Sequence, residues 1–531
     1  MVDGARPDDK RFISRMTPAG AAVMPESIHP TSTILTPVDW GVIAFYAAGM
    51  LVVGWYYSHK TRSTEEYLLG GRKMRSWPVG LSMFATLLST ISYLSYPGEV
   101  LRYGPMILSG IAVYPLIVLI VGWRMIPYIM KMRVTTAYEI LERRFGLSVR
   151  LLGAVLFLSL RLLWMATIIQ VTASRVLIPL MGWDVRWTPA VCAMLGVVTV
   201  IYTSMGGLRA VVFTDVVQTF ILLGGATLTL VLITRDFGGV DGWWPKQWPA
   251  HWAQPEWGLD LSNRGAFLGW GLATLTWHVC TAGSDQVAIQ RYLATRDARA
   301  ARRVLITSLS ADALIHGVLA LLGVALLAYF RAHPGALGVE GGATPETIDA
   351  DLLFPRYIVQ GLPAGVSGLV VAAMLAAAMS SLSSGVNSSC SVITVDFIDR
   401  FRHKKLNEIT HVRLARWVAA GVGAVVVALS LYVSVVEGNI IELAYKVVNL
   451  LVAPMFVLFF LAMFVKGATT AGAWSGCLVA IVVAVTIAYW EAWTGEAGIS
   501  FLWIMPGSLA GGVIVGIGVS ALERVVRGGH S

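Results

Sequence analysis

Long apolar segments recur along almost the whole chain and are separated by short polar loops. Most of these runs have roughly 20 residues or more, the length that an α-helix needs to cross the hydrocarbon core of a bilayer. The runs are continuous and do not alternate with polar residues, so they favour helices over a transmembrane β-barrel. The predicted spans are 38–57, 77–103, 107–130, 150–181, 187–204, 209–234, 265–290, 304–331, 358–398, 413–436, 439–465, 469–492 and 500–522.

This pattern predicts an all-α polytopic membrane protein with about 13 transmembrane helices and one membrane domain over residues 38–531. The composition agrees, because 56% of the residues are hydrophobic, only 13% are charged and the mean hydropathy is +0.69. A soluble domain of this size needs more charge on its surface. Residues 1–37 are polar and have no apolar core, so we expect an extracytoplasmic tail without a cleavable signal peptide.

The basic residues predict the orientation of the chain. Loops 235–264 and 332–357 hold few of them. The basic loops are HKTRSTEEYLLGGRKMR after the first span, 131–150, 291–303 and 399–416. Lysine and arginine accumulate on the cytoplasmic side, so we expect a multi-pass protein of the cell membrane with its N-terminus outside and its C-terminus inside. The net charge of +9 follows from this topology, and no nucleic-acid partner is expected.

Two of the predicted spans contain polar interruptions. The second span has a serine/threonine run followed by Pro97 and Gly98, and the seventh has the polar stretch 281–285. The interruptions lie five spans apart, as they would if two inverted repeats covered about 77–234 and 265–465. Paired broken helices of this kind mark the midplane binding site of many secondary transporters. An ordinary proline kink together with one glycine is the alternative.

One apolar run, VAAMLAAAMSSLSSGVNSSCSVITVDFIDR, has hydroxyl groups crowded in its middle. At helical spacing Ala377, Ser380, Ser381 and Ser384 share one face, and Ser383 lies at its edge. Four hydroxyls at bilayer depth are suitable ligands for a small hard cation such as Na⁺. The alternative is close helix packing, in which serine hydroxyls bond back to carbonyls of their own helix.

Four stretches of the chain resemble the sodium:solute symporter family. They are YLLGGRKMRSWPVGLSMFAT at the start of the first core helix, YTSMGGLRAVVFTDVVQTFILLGG at the family signature, SDQVAIQRYLATRD in the sixth core helix and AAAMSSLSSGVNSSCSVITVDF in the eighth. They occur in the family's order across residues 38–466. The resemblance implies a LeuT-type five-plus-five inverted repeat, with one additional N-terminal and two additional C-terminal helices.

The resemblance also implies a sodium site between the first and eighth core helices, with Na⁺ as the coupling ion. Its ligands correspond here to the backbone carbonyls of Ala85, Leu88 and Ala377. The hydroxyls of Ser380 and Ser381 complete the implied set.

Some family members hold a second sodium, and the matching positions here are Asp215, Ser380, Ser383 and Ser384. A buried carboxylate costs several kcal/mol unless it is paired. We therefore expect an ion-linked role for Asp215, with a structural pair to Arg209 as the alternative.

Two positive charges, Arg161 and Lys446, are predicted to lie at membrane depth. Either could hold a substrate carboxylate, and arginine suits this role because its guanidinium fork binds both oxygens. Structural ion pairs are the alternative, and for Lys446 the partner would be Glu442 on the same helix face. Acidic candidates elsewhere for pairing with Arg161 are Glu99, Asp285 and Asp312.

Further candidates for the substrate pocket are Trp277, His278, Thr281 and Asn449, although His278 is also typical of a hydrogen-bonded buried histidine. The sequence thus predicts sodium-coupled symport of a small organic solute, a monocarboxylate or sugar acid, by alternating access. Alternatives are a sodium/sugar symporter, a proton-coupled carrier based on Asp215, and a sensor with a transporter fold. No nucleophile–base pair, phosphate loop or HExxH motif indicates an enzyme. The expected partners are the solute and the lipid bilayer, and the oligomeric state is left open.

Overall fold

The computed structural model describes residues 35–258, 266–337, 344–404, 406–433, 440–495 and 498–528. Most of the predicted N-terminal tail lies outside these residues. The α-helices are α1 (Pro37–Lys60), α2 (Thr64–Leu69), α3 (Ser76–Leu87), α4 (Thr90–Tyr103), α5 (Tyr114–Ile117), α6 (Ile126–Met132), α7 (Glu139–Phe145), α8 (Leu147–Val171), α9 (Ile178–Met181), α10 (Thr188–Asp236), α11 (Val240–Trp243), α12 (Phe267–Ser284), α13 (Gln286–Leu293), α14 (Ala298–Ala332), α15 (Leu353–Gln360), α16 (Val366–Val392), α17 (Asp399–Phe401), α18 (Glu408–Ser430), α19 (Ile440–Phe464), α20 (Thr470–Thr494) and α21 (Ile504–Gly528). Three π-helical segments continue helices of this set, at Val118–Met125, Thr172–Leu177 and Ile393–Ile398.

Within the described residues, ten helical segments are long and apolar enough to cross a membrane. An eleventh span results if α3 and α4 are counted together. The predicted spans 187–204 and 209–234 both lie in the 49 residues of α10, which consists of two helices that meet at a kink. At 1.5 Å per residue a straight helix of 49 residues would be about 74 Å long, more than twice the ~30 Å of a hydrocarbon core, so the segment has the length of two spans. Its backbone is non-helical at Gly207 (φ 62°, ψ −163°). The count of thirteen stays a prediction.

The second predicted span is broken at the start of its serine/threonine run, as the polar interruption predicted. Helix α3 ends at Leu87, α4 begins at Thr90, and their axes differ by 67°. Pro97 lies inside α4. The break lies at this run because Ser89 has an extended backbone and its hydroxyl accepts a bond from the amide of Ser92, which starts a new helix.

The seventh predicted span is broken inside the predicted polar stretch. Helix α12 ends at Ser284 and α13 begins at Gln286. The carboxylate of Asp285 accepts a hydrogen bond from the amide of Val287 at 2.8 Å and so caps α13. Both half-helices that follow a break therefore begin with a side chain that is a strong N-cap.

Helix α16 is the most enclosed long helix of the described chain, and it packs against α1, α3, α8 and α10. Nearly all its residues from Ser367 to Val392 are buried. Alanine, serine and glycine allow such close approach of neighbouring helices. The predicted span 358–398 starts too early, because α15 ends at Gln360 and α16 begins at Val366.

Polar contacts connect each end of α1 to a different part of the chain. At its beginning, the carboxylate of Asp39 accepts bonds from the amides of Gly365 and Gly368, both at 2.7 Å. At its end, Arg416 donates to the carbonyl of Ser58 at 2.9 Å. The 24 residues of α1 separate these groups by about 36 Å. The predicted inner loops before 77 and at 399–416 thus share one side of the bundle.

Candidate functional site

The junction between α3 and α4 faces the middle of α16. The last carbonyls of a helix have no partner within it, so the oxygens near the end of α3 are available to other groups. The hydroxyl of Ser381 donates to the carbonyl of Thr86 at 2.9 Å and lies 3.3 Å from the carbonyl of Leu88. Ala85 and Ala377 are fully buried on the same two helices. The structure thus brings together the two halves of the predicted sodium site.

The carbonyl of Thr86 was absent from the predicted set of sodium ligands. The structure identifies this carbonyl as a candidate because it shows where α3 ends. The sequence alone does not indicate which carbonyls lack a partner within the helix. The Thr86 hydroxyl also bonds back to the carbonyl of Ser82 at 2.7 Å. Thr86 therefore presents two oxygens at this junction.

Asp215 is the centre of a second polar cluster beside the junction. Its Oδ1 accepts a bond from Ser380 at 2.7 Å, and its Oδ2 accepts one from Ser82 at 2.5 Å and lies 3.4 Å from the hydroxyl of Ser384. Ser383 donates instead to the carbonyl of Ser380 in its own helix. Three of the four positions predicted for a second sodium meet here, and Ser82 is an additional oxygen that the prediction missed.

A fully buried arginine completes this cluster. Arg291 was predicted to begin a cytoplasmic loop, and that prediction is wrong because the residue lies in α13 with its side chain inside the bundle. One guanidinium nitrogen lies 3.6 Å from Asp215 Oδ2 and donates to the hydroxyls of Thr86, at 2.9 Å, and Ser384.

The alternative partner that we considered for Asp215 was wrong. Arg209 lies 3.5 Å from a carboxylate oxygen of Glu66 and donates to the carbonyl of Gly70 at 3.1 Å. Asp215 has Arg291 as its cationic neighbour. Any further cation at this cluster would share the carboxylate with a guanidinium.

A cavity of about 170 Å³ lies next to the junction. Its wall includes Thr86, Leu87 and Leu88 from the junction itself. Aromatic rings supply much of the remaining surface, from Tyr96, Tyr114, Trp164, Trp270 and Trp277. The predicted substrate candidates that line it are Arg161, Trp277, His278, Thr281 and Asn449.

Lys446 differs from the other substrate candidates. Among the described residues of α19, Ala444, Val448 and Asn449 line the cavity and Lys446 does not. The side chain of Glu442, its predicted partner, lies outside the described residues. The structure therefore favours Arg161 over Lys446 as a contact for a solute in this cavity.

Arg161 is paired at the cavity wall. One terminal nitrogen of its guanidinium donates to the carboxylate of Asp285, one of the three distant acids predicted as partners. The side chain is only 7% exposed, and its Nε has no hydrogen-bond partner within the described part of the chain. A buried donor without a partner costs about 1–3 kcal/mol, so this N–H would gain from a solute oxygen.

Two further wall residues carry polar atoms. The hydroxyl of Thr281 is buried and has no partner among the residues described. His278 Nδ1 lies 2.9 Å from the carbonyl of Thr274, which agrees with the hydrogen-bonded buried histidine considered from the sequence.

Comparison with known sequences identifies relatives over most of the chain. The sequence model of the sodium:solute symporter family matches residues 67–480. The sodium/sialic acid symporter SiaT of Proteus mirabilis is 31% identical over 471 residues, which cover 85% of this chain and 90% of that protein. The human sodium-coupled monocarboxylate transporter 1 is 28% identical over 471 residues, 86% of this chain and 73% of that protein.

Comparison with solved structures supports the predicted LeuT-type architecture. A substrate-bound, outward-open Na⁺-coupled sialic acid symporter has a TM-score of 0.78 and 27% identity, with 92% of this chain and 98% of that chain covered. The nucleobase-cation symporter Mhp1 in a closed conformation has a TM-score of 0.52 and 12% identity, over 87% of this chain and 95% of that one. The second likeness concerns the fold alone.

Proposed function

The chain belongs to the sodium:solute symporter family, and we propose that it couples Na⁺ entry to the uptake of a small carboxylate-bearing solute by alternating access. The observation that carries this proposal is the contact of Ser381 with the carbonyls of Thr86 and Leu88 at a broken helix. Unwound carbonyls facing hydroxyls of another helix are the kind of site that holds Na⁺ in secondary transporters.

The proposed sodium site consists of the carbonyls of Ala85, Leu88 and Ala377 and the hydroxyls of Ser380 and Ser381. A sodium ion there would replace the bonds that Ser381 makes to the carbonyls at the end of α3, and it would tie α3 to α16. Thr86 belongs to this region and also lines the solute cavity. Sodium binding and solute binding therefore involve the same short stretch of backbone.

We propose one sodium ion per cycle. A second one at Asp215, Ser380, Ser383 and Ser384 would have to share the carboxylate with Arg291. Two unit charges about 4 Å apart repel by about 4 kcal/mol at an effective dielectric constant near 20. Arg291 thus takes the place of the second cation as a fixed charge.

The proposed solute is a carboxylate that binds Arg161 through its unpartnered Nε–H. The size of the cavity limits the choice, because a cavity of about 150 Å³ accommodates one benzene molecule. The 170 Å³ observed here suits a small monocarboxylate better than a sugar acid with a complete pyranose ring. A neutral sugar leaves the buried Nε–H of Arg161 without a charged acceptor.

We further propose that the N-terminus is extracytoplasmic and the C-terminus cytoplasmic, in the cell membrane. The predicted inner loops before residue 77 and at 399–416 meet at the same end of α1, which supports the alternation. The absolute orientation rests on the excess of basic residues in these loops.

Transport by the purified protein in proteoliposomes tests the proposal. Uptake of short labelled carboxylates, with and without an amino group, is measured under an inward gradient of NaCl and then of KCl. We expect uptake with NaCl only, and a decrease of at least tenfold in affinity in Arg161→Gln. Equal uptake with both salts, or a response to a proton gradient alone, would favour the proton-coupled alternative.

A further inference from the structure

Asp312 is a carboxylate of the cavity wall that the proposed function does not use. It lies in α14, its side chain is 14% exposed, and it lines the same cavity as Arg161. Its Oδ2 accepts a hydrogen bond from the hydroxyl of Tyr114 and lies 2.9 Å from Nδ1 of His316. Neither neighbour is a permanent cation.

Three of the five buried aspartates of the described chain lie beside an arginine, unlike the partly buried Asp312. Asp215 lies 3.6 Å from the guanidinium of Arg291, Asp285 accepts a bond from Arg161, and Asp396 lies 2.7 Å from Arg150. Within the described residues, no arginine or lysine nitrogen lies within 4 Å of Asp312. An ionisable side chain at membrane depth is costly and normally serves a functional site.

The surroundings of Asp312 are aromatic. The ring of Tyr96 lies 4.1 Å from that of His316, and Tyr114 lies 5.2 Å from His278. The ring centres of Trp277 and His278 are 4.8 Å apart. The faces of tyrosine and tryptophan rings attract an ammonium group through their quadrupoles. A carboxylate next to several such rings in a small cavity forms a suitable environment for one cationic group.

We propose that Asp312 binds an ammonium group of the solute, so that the solute is a small zwitterion. This inference rests on the proposed function, in which Arg161 binds the carboxylate of the same solute. The cavity then has two oppositely charged binding groups, the guanidinium of Arg161 on α8 and the carboxylate of Asp312 on α14. Both line the same cavity of about 170 Å³, which can accommodate a short amino acid or betaine.

The energetics of coupling favour a zwitterion as well. With one sodium ion, a monoanionic solute moves no net charge, and a tenfold sodium gradient supports only about tenfold accumulation. A zwitterion leaves one net positive charge per cycle. A potential of about 100 mV then contributes a further factor of about fifty, so accumulation of about five hundredfold becomes available.

Binding of matched pairs of compounds to the purified protein tests this proposal. Each zwitterion is paired with the compound in which carbon replaces the charged nitrogen: L-2-aminobutyrate with (S)-2-methylbutanoate, and glycine betaine with 3,3-dimethylbutanoate. Affinities are read from the rise in thermal midpoint in saturating NaCl. For wild type we expect at least one zwitterion to bind tenfold or more tightly than its carbon counterpart.

Two variants test whether the preference for zwitterions depends on the carboxylate of Asp312. Asp312→Asn should remove the preference for the zwitterion and keep the response to NaCl. Tyr114→Phe removes one hydrogen bond to the same carboxylate but keeps its charge, so the preference should persist. If Asp312→Asn does not fold, the proposal is still tested by comparing the affinity of the wild-type protein for each zwitterion with its affinity for the carbon counterpart.

Several results would overturn the proposal: carbon counterparts that bind as tightly as the zwitterions, a preference that survives in Asp312→Asn, or no binding of either zwitterion. The first of these would mean that the carboxylate of Asp312 makes no favourable contact with an ammonium group. Sodium-dependent binding of the carbon counterparts that Arg161→Gln abolishes would leave the proposed function intact. Loss of sodium dependence for every compound would refute the proposed function itself.

Discussion

At the level of single residues, the buried arginines of the bundle lie beside carboxylates. Arg161 meets Asp285, and Arg291 meets Asp215. Removing one partner of such a pair leaves an isolated charge in a poorly solvated place, whereas removing both does not. Comparing the stability of single and double variants therefore identifies residues whose role is to balance a buried charge.

Arg161→Gln should weaken the binding of a carboxylate solute by about 10- to 150-fold. This range corresponds to the loss of one hydrogen bond to a charged group, about 1.5–3 kcal/mol. The measurement is the concentration dependence of sodium-driven uptake in proteoliposomes. Arg175→Gln is the matched control, because Arg175 is paired with Asp349 and belongs to no described wall of the cavity. Equal affinities in both variants would exclude Arg161 as the anchor.

Asp215→Asn and Arg291→Gln should each lower the thermal stability strongly, by about 3–5 kcal/mol, because each leaves an unpaired buried group. The double variant should be more stable than the sum of the two effects predicts.

In Arg291→Gln the vacated space next to Asp215 should admit a second Na⁺, so the sodium-to-solute ratio from reversal potentials should rise from one to two. A wild-type ratio of two would contradict our account of Arg291.

At the level of helices, the sequence predicts which elements are broken and the polar run in which each break lies. The polar stretch at 281–285 predicted the break at Asp285 correctly. In the second span the break lies in the serine/threonine run and Pro97 stays within α4, because prolines within membrane helices are tolerated when neighbouring groups satisfy the backbone. The N-cap Ser89 determines that break, and one serine in a serine-rich run is not distinctive in the sequence.

The position of Arg291 shows a second limit of the sequence. Arg291 belongs to a basic run with Arg296 and Arg299, and charge alone assigned all of them to the cytoplasm. The structure separates them by burial, because Arg291 is fully buried in α13 whereas the side chain of Arg296 is exposed. In contrast, the hydroxyl face of α16 followed directly from helical spacing, because that helix is regular through Ser380 and Ser384.

Gly207→Ala should destabilise the protein by about 1–3 kcal/mol, the cost of forcing a side chain into this glycine conformation. The added methyl group would also lie 2.7 Å from atoms of Tyr67. Gly224→Ala in the same helix is the control, since nothing lies within 4 Å of its added carbon and alanine is the better helix former. The measurement is the thermal midpoint in detergent. Equal midpoints would show that the break at Gly207 is not strained.

At the level of the whole molecule, the two groups of polar contacts at the ends of α1 predict which loops share a side. Val185→Cys should react with an impermeant maleimide in intact cells, and Arg296→Cys should react only after the membrane is opened. Both positions are exposed, and the four native cysteines are buried. The reverse labelling pattern would invert the proposed orientation.

The central claim is that α3 and α16 together hold one sodium ion. It concerns the whole molecule because this contact joins the broken helix α3–α4 to the most enclosed long helix of the described chain. A ligand that binds only the folded state stabilises it by RT ln(1 + [L]/Kd), about 2.7 kcal/mol at a hundred times Kd. The most direct test compares the thermal midpoint in NaCl and in matched KCl for wild type, Ser381→Ala and Ser389→Ala.

Ser389 is the control because it is buried in the same helix and its hydroxyl has no partner in the part of the chain that the structure describes. We predict that NaCl raises the midpoint of wild type and of Ser389→Ala above the value in KCl, and that Ser381→Ala loses this difference. If NaCl and KCl act alike on wild type, or if Ser381→Ala keeps the full sodium response, the ion does not bind between these helices.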